Sequence, residues 1–221
     1  MNFEYPAKAE AFRAELLGFL DAELPSWWVN FLSGDERNLP FTREFCKKLA
    51  AKGWLTLAWP REYGGGEADV WHQIVVREVM WGAGEPRGPQ YINLNFVGRA
   101  IMTFGTDEQI DRYLTPMAAG DAIWCQGFSE PDAGSDLASL VTRAEDTGGG
   151  FRINGLKTWV SYGADAEHCI LMARTDPDAP RHRGISMFMV DMATPGITVR
   201  TIETIGPSNS DARCRLAATS H

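Results

Sequence analysis

The chain has 221 residues, 44% of them hydrophobic and 23% charged, which is enough to bury a core in one or two domains. A formal net charge of −8 argues against a nucleic-acid or anionic-membrane partner. No apolar run reaches transmembrane length, no secretory pattern opens the chain, and the expectation is a cytoplasmic protein without membrane insertion.

The first half reads as helical. Phe12, Leu16, Phe19 and Leu20 make an apolar stripe over a segment near Ala7–Leu24, which Pro25, Ser26 and two tryptophans break. Thr42 is placed to cap a helix with Phe45 and Leu49 on one face and Gly53 as its stop. Asp69 caps another running toward Gly82, followed by the helix-ending turn Trp81-Gly82-Ala83-Gly84-Glu85-Pro86. Leu94 to Phe104 reads as a short buried helix. Thr106 and Gln109 have capping-box spacing before a helix that Gly120 ends.

The second half changes period. Gln126-Gly127-Phe128-Ser129-Glu130-Pro131-Asp132-Ala133-Gly134-Ser135-Asp136 reads as a kinked loop offering hydroxyls and free amides. Gly134 allows a sharp turn, and Ser135 and Asp136 stand where an N-cap would precede Leu137-Ala138-Ser139-Leu140. Val141–Glu145 and Phe151–Ser161 flank Asp146-Thr147-Gly148-Gly149-Gly150, a hairpin pattern. On an extended strand, Trp159 and Ser161 would share a face, an indole two residues from a hydroxyl. Cys169–Arg174, Gly184–Asp191 and Ile197–Ile202 are further β-rich runs. Cys46, Cys125, Cys169 and Cys214 lack metal-ligand spacing, and no metal site is expected. Each feature alone has an ordinary structural reading; the loop and the strand together suit a flat, polar-edged, phosphate-bearing ligand such as a flavin. The reading is α+β: an N-terminal α-helical domain over 1–121, an antiparallel β-barrel-like middle domain over 122–206, and an atypical tail over 207–221.

Five collinear segments resemble the acyl-CoA dehydrogenase family: Trp59-Pro60-Arg61-Glu62-Tyr63-Gly64-Gly65, Phe104-Gly105-Thr106-Asp107-Glu108-Gln109, Phe128 to Asp136, Asn154-Gly155-Leu156-Lys157-Thr158-Trp159-Val160-Ser161, and Arg174-Thr175-Asp176. The resemblance implies FAD as cofactor and an acyl-CoA as substrate. It implies α,β-desaturation to a trans-2-enoyl-CoA and reoxidation by an electron-transferring flavoprotein, in a homo- or hetero-oligomer. By the same resemblance Ser129 donates to the flavin's pyrimidine edge, with Gln126 and Phe128 along the ring. Ser135 touches the FAD pyrophosphate or the CoA arm, Trp159 stacks on the isoalloxazine, and Ser161 reaches N5. Asp132 stands where the family often has Gly.

Residues 207–221 match neither the strand nor the helical bundle that the family places next, so the resemblance implies a truncated acyl-CoA dehydrogenase fold. The family's catalytic Glu belongs to that bundle, and no catalytic base is assigned. Glu130 is read as shaping its loop ahead of Pro131. The readings that stay open are a dehydrogenase needing a partner chain, a non-catalytic remnant or partner-binding module, and a same-fold flavin oxidase or monooxygenase.

Overall fold

The computed structural model describes residues 4–205 and 211–220. The chain divides into two compact units, Met1–Asp121 and Ala122–His221.

The first unit is helical. Helix α1, Ala7–Glu23, buries Ala9, Phe12, Leu16 and Leu20 and packs on α3, Val70–Gly82. The Asp69 side chain accepts from the Trp71 and His72 amides and caps α3 as the sequence predicts. Helix α2, Asn38–Ala51, begins a turn earlier than expected, so Thr42 lies fully buried inside it instead of capping it. Gly53 does follow it with a left-handed φ of 70°.

The predicted Leu94–Phe104 helix is longer and less regular. It runs as α4, Gln90–Ile92, a π turn over Asn93–Val97, and α5, Gly98–Phe104. The indole of Trp59 donates to the Leu94 carbonyl at 2.9 Å, and a Cβ at Gly98 would come 2.3 Å from that ring. A tryptophan wedged against the backbone thus accounts for the wide turn and for the glycine. Helix α6, Asp107–Ala119, starts with the full Thr106–Gln109 capping box and ends at Gly120, where φ is 81°.

In the second unit the described residues form one seven-stranded sheet. Its strands are β1 (Trp124–Gly127), β2 (Arg143–Asp146), β3 (Phe151–Lys157), β4 (His168–Arg174), β5 (Ile185–Asp191), β6 (Ile197–Thr201) and β7 (Ala212–Ser220). The order is β1-β4-β2-β3-β7-β6, with β5 along the other side of β4. The β domain is the one expected, but its sheet is mixed: β1 runs parallel to β4 from Trp124↔His168 to Gly127↔Leu171, and β2 meets the end of β4 in parallel at Arg143↔Arg174. The hairpin β2–β3 is antiparallel, as its glycine-rich turn predicts.

The ending departs from expectation. Residues 207–221 were set apart as a tail unrelated to the fold, yet β7 lies between β3 and β6 and pairs antiparallel with both. Its alternation explains this: Ala212, Cys214, Leu216 and Ala218 are buried, while Arg213, Arg215 and Ala217 face solvent. Cys214 and Leu216 join Cys125, Ile153, Val160 and Leu171 in the sheet's core. Residues 207–210 and 221 of that segment lie outside the described ones. All four cysteines are buried and free, and burial pushes the Cys214 thiol up to about 12, as suits inert core residues.

Candidate flavin-binding site

The two segments singled out in the sequence are neighbours. The Thr158 amide donates to the Ser129 carbonyl at 2.9 Å, and Lys157 Nζ donates to the Phe128 carbonyl at 3.0 Å. Lys157 also pairs with Glu130 Oε1 at 2.8 Å. Glu130 completes its shell with the Val141 amide at 2.7 Å and the Thr142 amide at 2.9 Å. The pair is buried, its side chains 3% and 1% exposed. Glu130 therefore ties its loop to β3 and to the entry of β2, which agrees with a loop-shaping role.

Burial alone would raise the Glu130 pKa. Lys157 and the donors of Thr142 and Val141 outweigh that and hold it below its usual value. Burial dominates at Lys157 and lowers its pKa, with Glu130 restoring part of the loss.

The loop then turns tightly. Glu130 and Ala133 exchange two backbone hydrogen bonds of 2.8 and 3.2 Å. Two expectations fail here. Gly134 is not at positive φ, so the turn does not require a glycine; a Cβ there would meet nothing within 4 Å. Asp136 makes no side-chain cap, because the helical segment it precedes is a single turn, Leu137–Ser139, held instead by Ser139 Oγ donating to the Asp136 carbonyl at 2.7 Å. Ser135 is exposed, and among the described residues neither its hydroxyl nor that of Ser129 has a partner. Gln126 and Phe128 are half-buried, Gln126 on β1 opposite Ile170.

Trp159 is the outlier. Strand β3 ends at Lys157, so Trp159 and Ser161 do not share a strand face as predicted. Lys157 is paired with Cys214, and the next paired residue is Val160, which exchanges hydrogen bonds of 3.0 and 3.2 Å with Ala212. Thr158 and Trp159 thus face the single residue Arg213: the strand carries a β-bulge. The bulge resets the alternation. Val160 goes into the core at 0% exposure, while Trp159 takes φ 58° and is 60% exposed. Left-handed backbone at a bulky residue is strained, and such strain concentrates at ligand sites.

Ser161 has a partner of its own. Its Oγ donates to Asp211 Oδ1 at 2.7 Å. Sequence reasoning missed Asp211 because it lay in the segment dismissed as a tail; the alternating burial of the residues after it was the available signal.

An exposed, backbone-strained indole, two unengaged serine hydroxyls and open space over Gly134 fit a planar aromatic group carrying phosphates. Among the described residues no cluster suits a metal ion.

Comparisons with known proteins match both units to one family. Residues 6–121 match the family model "Acyl-CoA dehydrogenase, N-terminal domain", and residues 125–217 match "Acyl-CoA dehydrogenase, middle domain". The acyl-CoA dehydrogenase FadE34 of Mycobacterium tuberculosis is 41% identical over 157 residues, 71% of this chain and 22% of that protein. The acyl-CoA dehydrogenase IpdE1 of the same organism is 35% identical over 198 residues, 87% of this chain and 51% of that one. The solved structure of the Tcur3481-Tcur3483 steroid ACAD superposes with a TM-score of 0.88 at 34% identity, covering 100% of this chain and 57% of that one. The ChsE4-ChsE5 complex from Mycobacterium tuberculosis gives 0.84 at 30% identity, covering 99% and 55%. The chain spans about half the length of IpdE1 and of these solved structures. With both of its units matched by the family's own domains, the chain belongs to the acyl-CoA dehydrogenase family.

Proposed function

We propose that the chain is the N-terminal and middle part of an FAD-dependent acyl-CoA dehydrogenase that α,β-desaturates an acyl-CoA thioester. When bound, FAD supplies the hydride acceptor. The observation that carries this reading is the strained, exposed Trp159 on its bulge beside Ser129. Trp159 offers a stacking surface for the tricyclic ring, and Ser129 a hydroxyl to the ring's polar edge, with Gln126 and Phe128 bordering it. Ser135 and the amides near Gly134 hold a diphosphate or the CoA arm. Ser161, oriented by Asp211, positions the ring's central edge. Glu130 and Lys157 hold the loop and take no part in proton transfer.

The α proton needs a carboxylate base that these residues do not supply. That base comes with the further length the relatives possess, on a partner chain or on more of the same protein. An electron-transferring flavoprotein as oxidant, a homo- or hetero-oligomeric assembly and a cytoplasmic setting complete the proposal. No described helix is long and apolar enough to cross a membrane.

The test is to add FAD and acyl-CoAs to the purified chain and follow ferrocenium reduction. Little turnover is expected alone, and turnover on adding the complementing helical chain. Vigorous turnover by the lone chain would contradict the need for a further base.

A further inference from the structure

The outward face of β3, β7 and β6 carries arginines that the flavin reading does not use. Exposed Arg200 on β6 lies directly across from exposed Arg213 on β7, and Arg215 follows two residues on, opposite Thr198 and Leu156. Among the described residues none of the three has an ion-pair partner. Arg152 on β3 sits across from Glu145 on β2 in register, which sets an opposite charge near it. Asp211, just before β7, is turned to Ser161.

Like charges directly opposite on neighbouring strands destabilise a sheet. Three unpartnered arginines within two strands therefore burden this face, in a chain whose formal net charge is −8. They line a cleft of about 720 Å³ with Asn154, Leu156 and Thr198. That volume lies in the range of small-ligand sites, roughly 300–1,000 Å³. The polar wall is dominated by donors, and guanidinium forks match phosphate oxygens bidentately. Cβ atoms of cross-strand neighbours lie about 5 Å apart. A phosphate brings about −1.5 to −2 charges into such a span, where a carboxylate brings one.

We infer that this cleft is a binding site for a small molecule bearing a diphosphate or triphosphate group, held by Arg200, Arg213 and Arg215. The inference does not depend on flavin binding at Trp159.

The probe is inorganic pyrophosphate, titrated calorimetrically into the full chain at low salt. Binding is expected, weakening as salt rises. It falls at least tenfold in R200Q/R213Q/R215Q and persists in S135A, which alters the loop assigned to the cofactor. As an independent readout, R213Q alone raises the melting temperature of the free chain and removes most of the further rise that pyrophosphate gives the wild type. No binding by the wild type, equal binding by the triple variant, or loss confined to S135A would each overturn the inference. So would stronger competition by a hexaglutamate peptide than by pyrophosphate, which would make the face a protein-docking surface.

Discussion

At the scale of single residues, Trp159 decides the account. Its left-handed φ of 58° is a conformation that glycine adopts freely and tryptophan does not. Trp159→Gly should therefore be more stable than Trp159→Ala by about 1 kcal/mol in the free chain, measured by chemical denaturation. Both changes remove the indole, so the difference reports relief of backbone strain net of glycine's greater unfolded-state entropy; an Ala variant more stable than the Gly variant would mean the strain is absent. Trp54 provides the contrast: it is 9% exposed and packs edge-on against Phe12 and Phe19. Trp54→Ala should lower the melting point, by about 3–5 kcal/mol of stability. Trp159→Ala should leave melting nearly unchanged and lower flavin retention, read from the flavin absorbance of purified protein. For Ser161, tied to Asp211 at 2.7 Å, Ala should slow flavin reduction in the complemented enzyme more than it weakens flavin binding. Stopped-flow traces with the opposite pattern would reassign it.

At the scale of elements, the site depends on how the loop after β1 is fastened to β3. Removing one member of the Glu130–Lys157 pair leaves a buried charge alone and should cost about 3–5 kcal/mol. The double variant Glu130→Gln with Lys157→Met should cost much less than the sum, and additive losses would show the two to be independent. The pair also sets an acid limb. Because the Glu130 pKa is lowered by folding, its stabilisation is complete above the ordinary glutamate range and is lost as pH falls through its lower folded value. Denaturation from pH 7 downward should show this loss in the wild type and a flatter profile in the double variant.

Glycines separate packing from ligand approach. A Cβ at Gly155 would lie 2.1 Å from Thr142 Oγ1, whereas one at Gly134 meets nothing. Gly155→Ala should destabilise by about 1–3 kcal/mol. Gly134→Ala should be neutral for folding yet weaken flavin binding, and unchanged flavin affinity would remove the close approach assigned there. That a loop follows β1 was legible in the sequence because Pro131 and its polar neighbours advertise a turn. The bulge was not legible. Its cause is the pairing of Val160 with Ala212, more than fifty positions along the chain, and strict alternation put Trp159 and Ser161 on one strand face that the bulge does away with.

At the scale of the whole molecule, the helical half was the easier to read. Caps at Asp69 and Thr106 and stops at Gly53 and Gly120 are local signals, and local signals survive folding. The π turn at Asn93–Val97 was hidden because its partner, Trp59, is remote in sequence. The β half was read strand by strand except for β1, too short at four residues to show a period, and β7, whose small buried Ala212 and Ala218 alternate with arginines in a pattern of weak hydrophobicity. Strand β7 completes the core and holds the bulge, so deleting residues 211–221 should abolish cooperative unfolding of the β unit and flavin binding together; retention of either would separate β7 from the site.

The family assignment rests on both units, and the flavin role on one geometry: an indole forced outward beside an unengaged serine hydroxyl. Titration of FAD into the full chain, followed by quenching of tryptophan fluorescence and repeated with Trp159→Ala, measures that most directly. Saturable though weak binding by the wild type, largely lost in the variant, is the predicted result. Equal binding by both proteins, or none by the wild type, would contradict it.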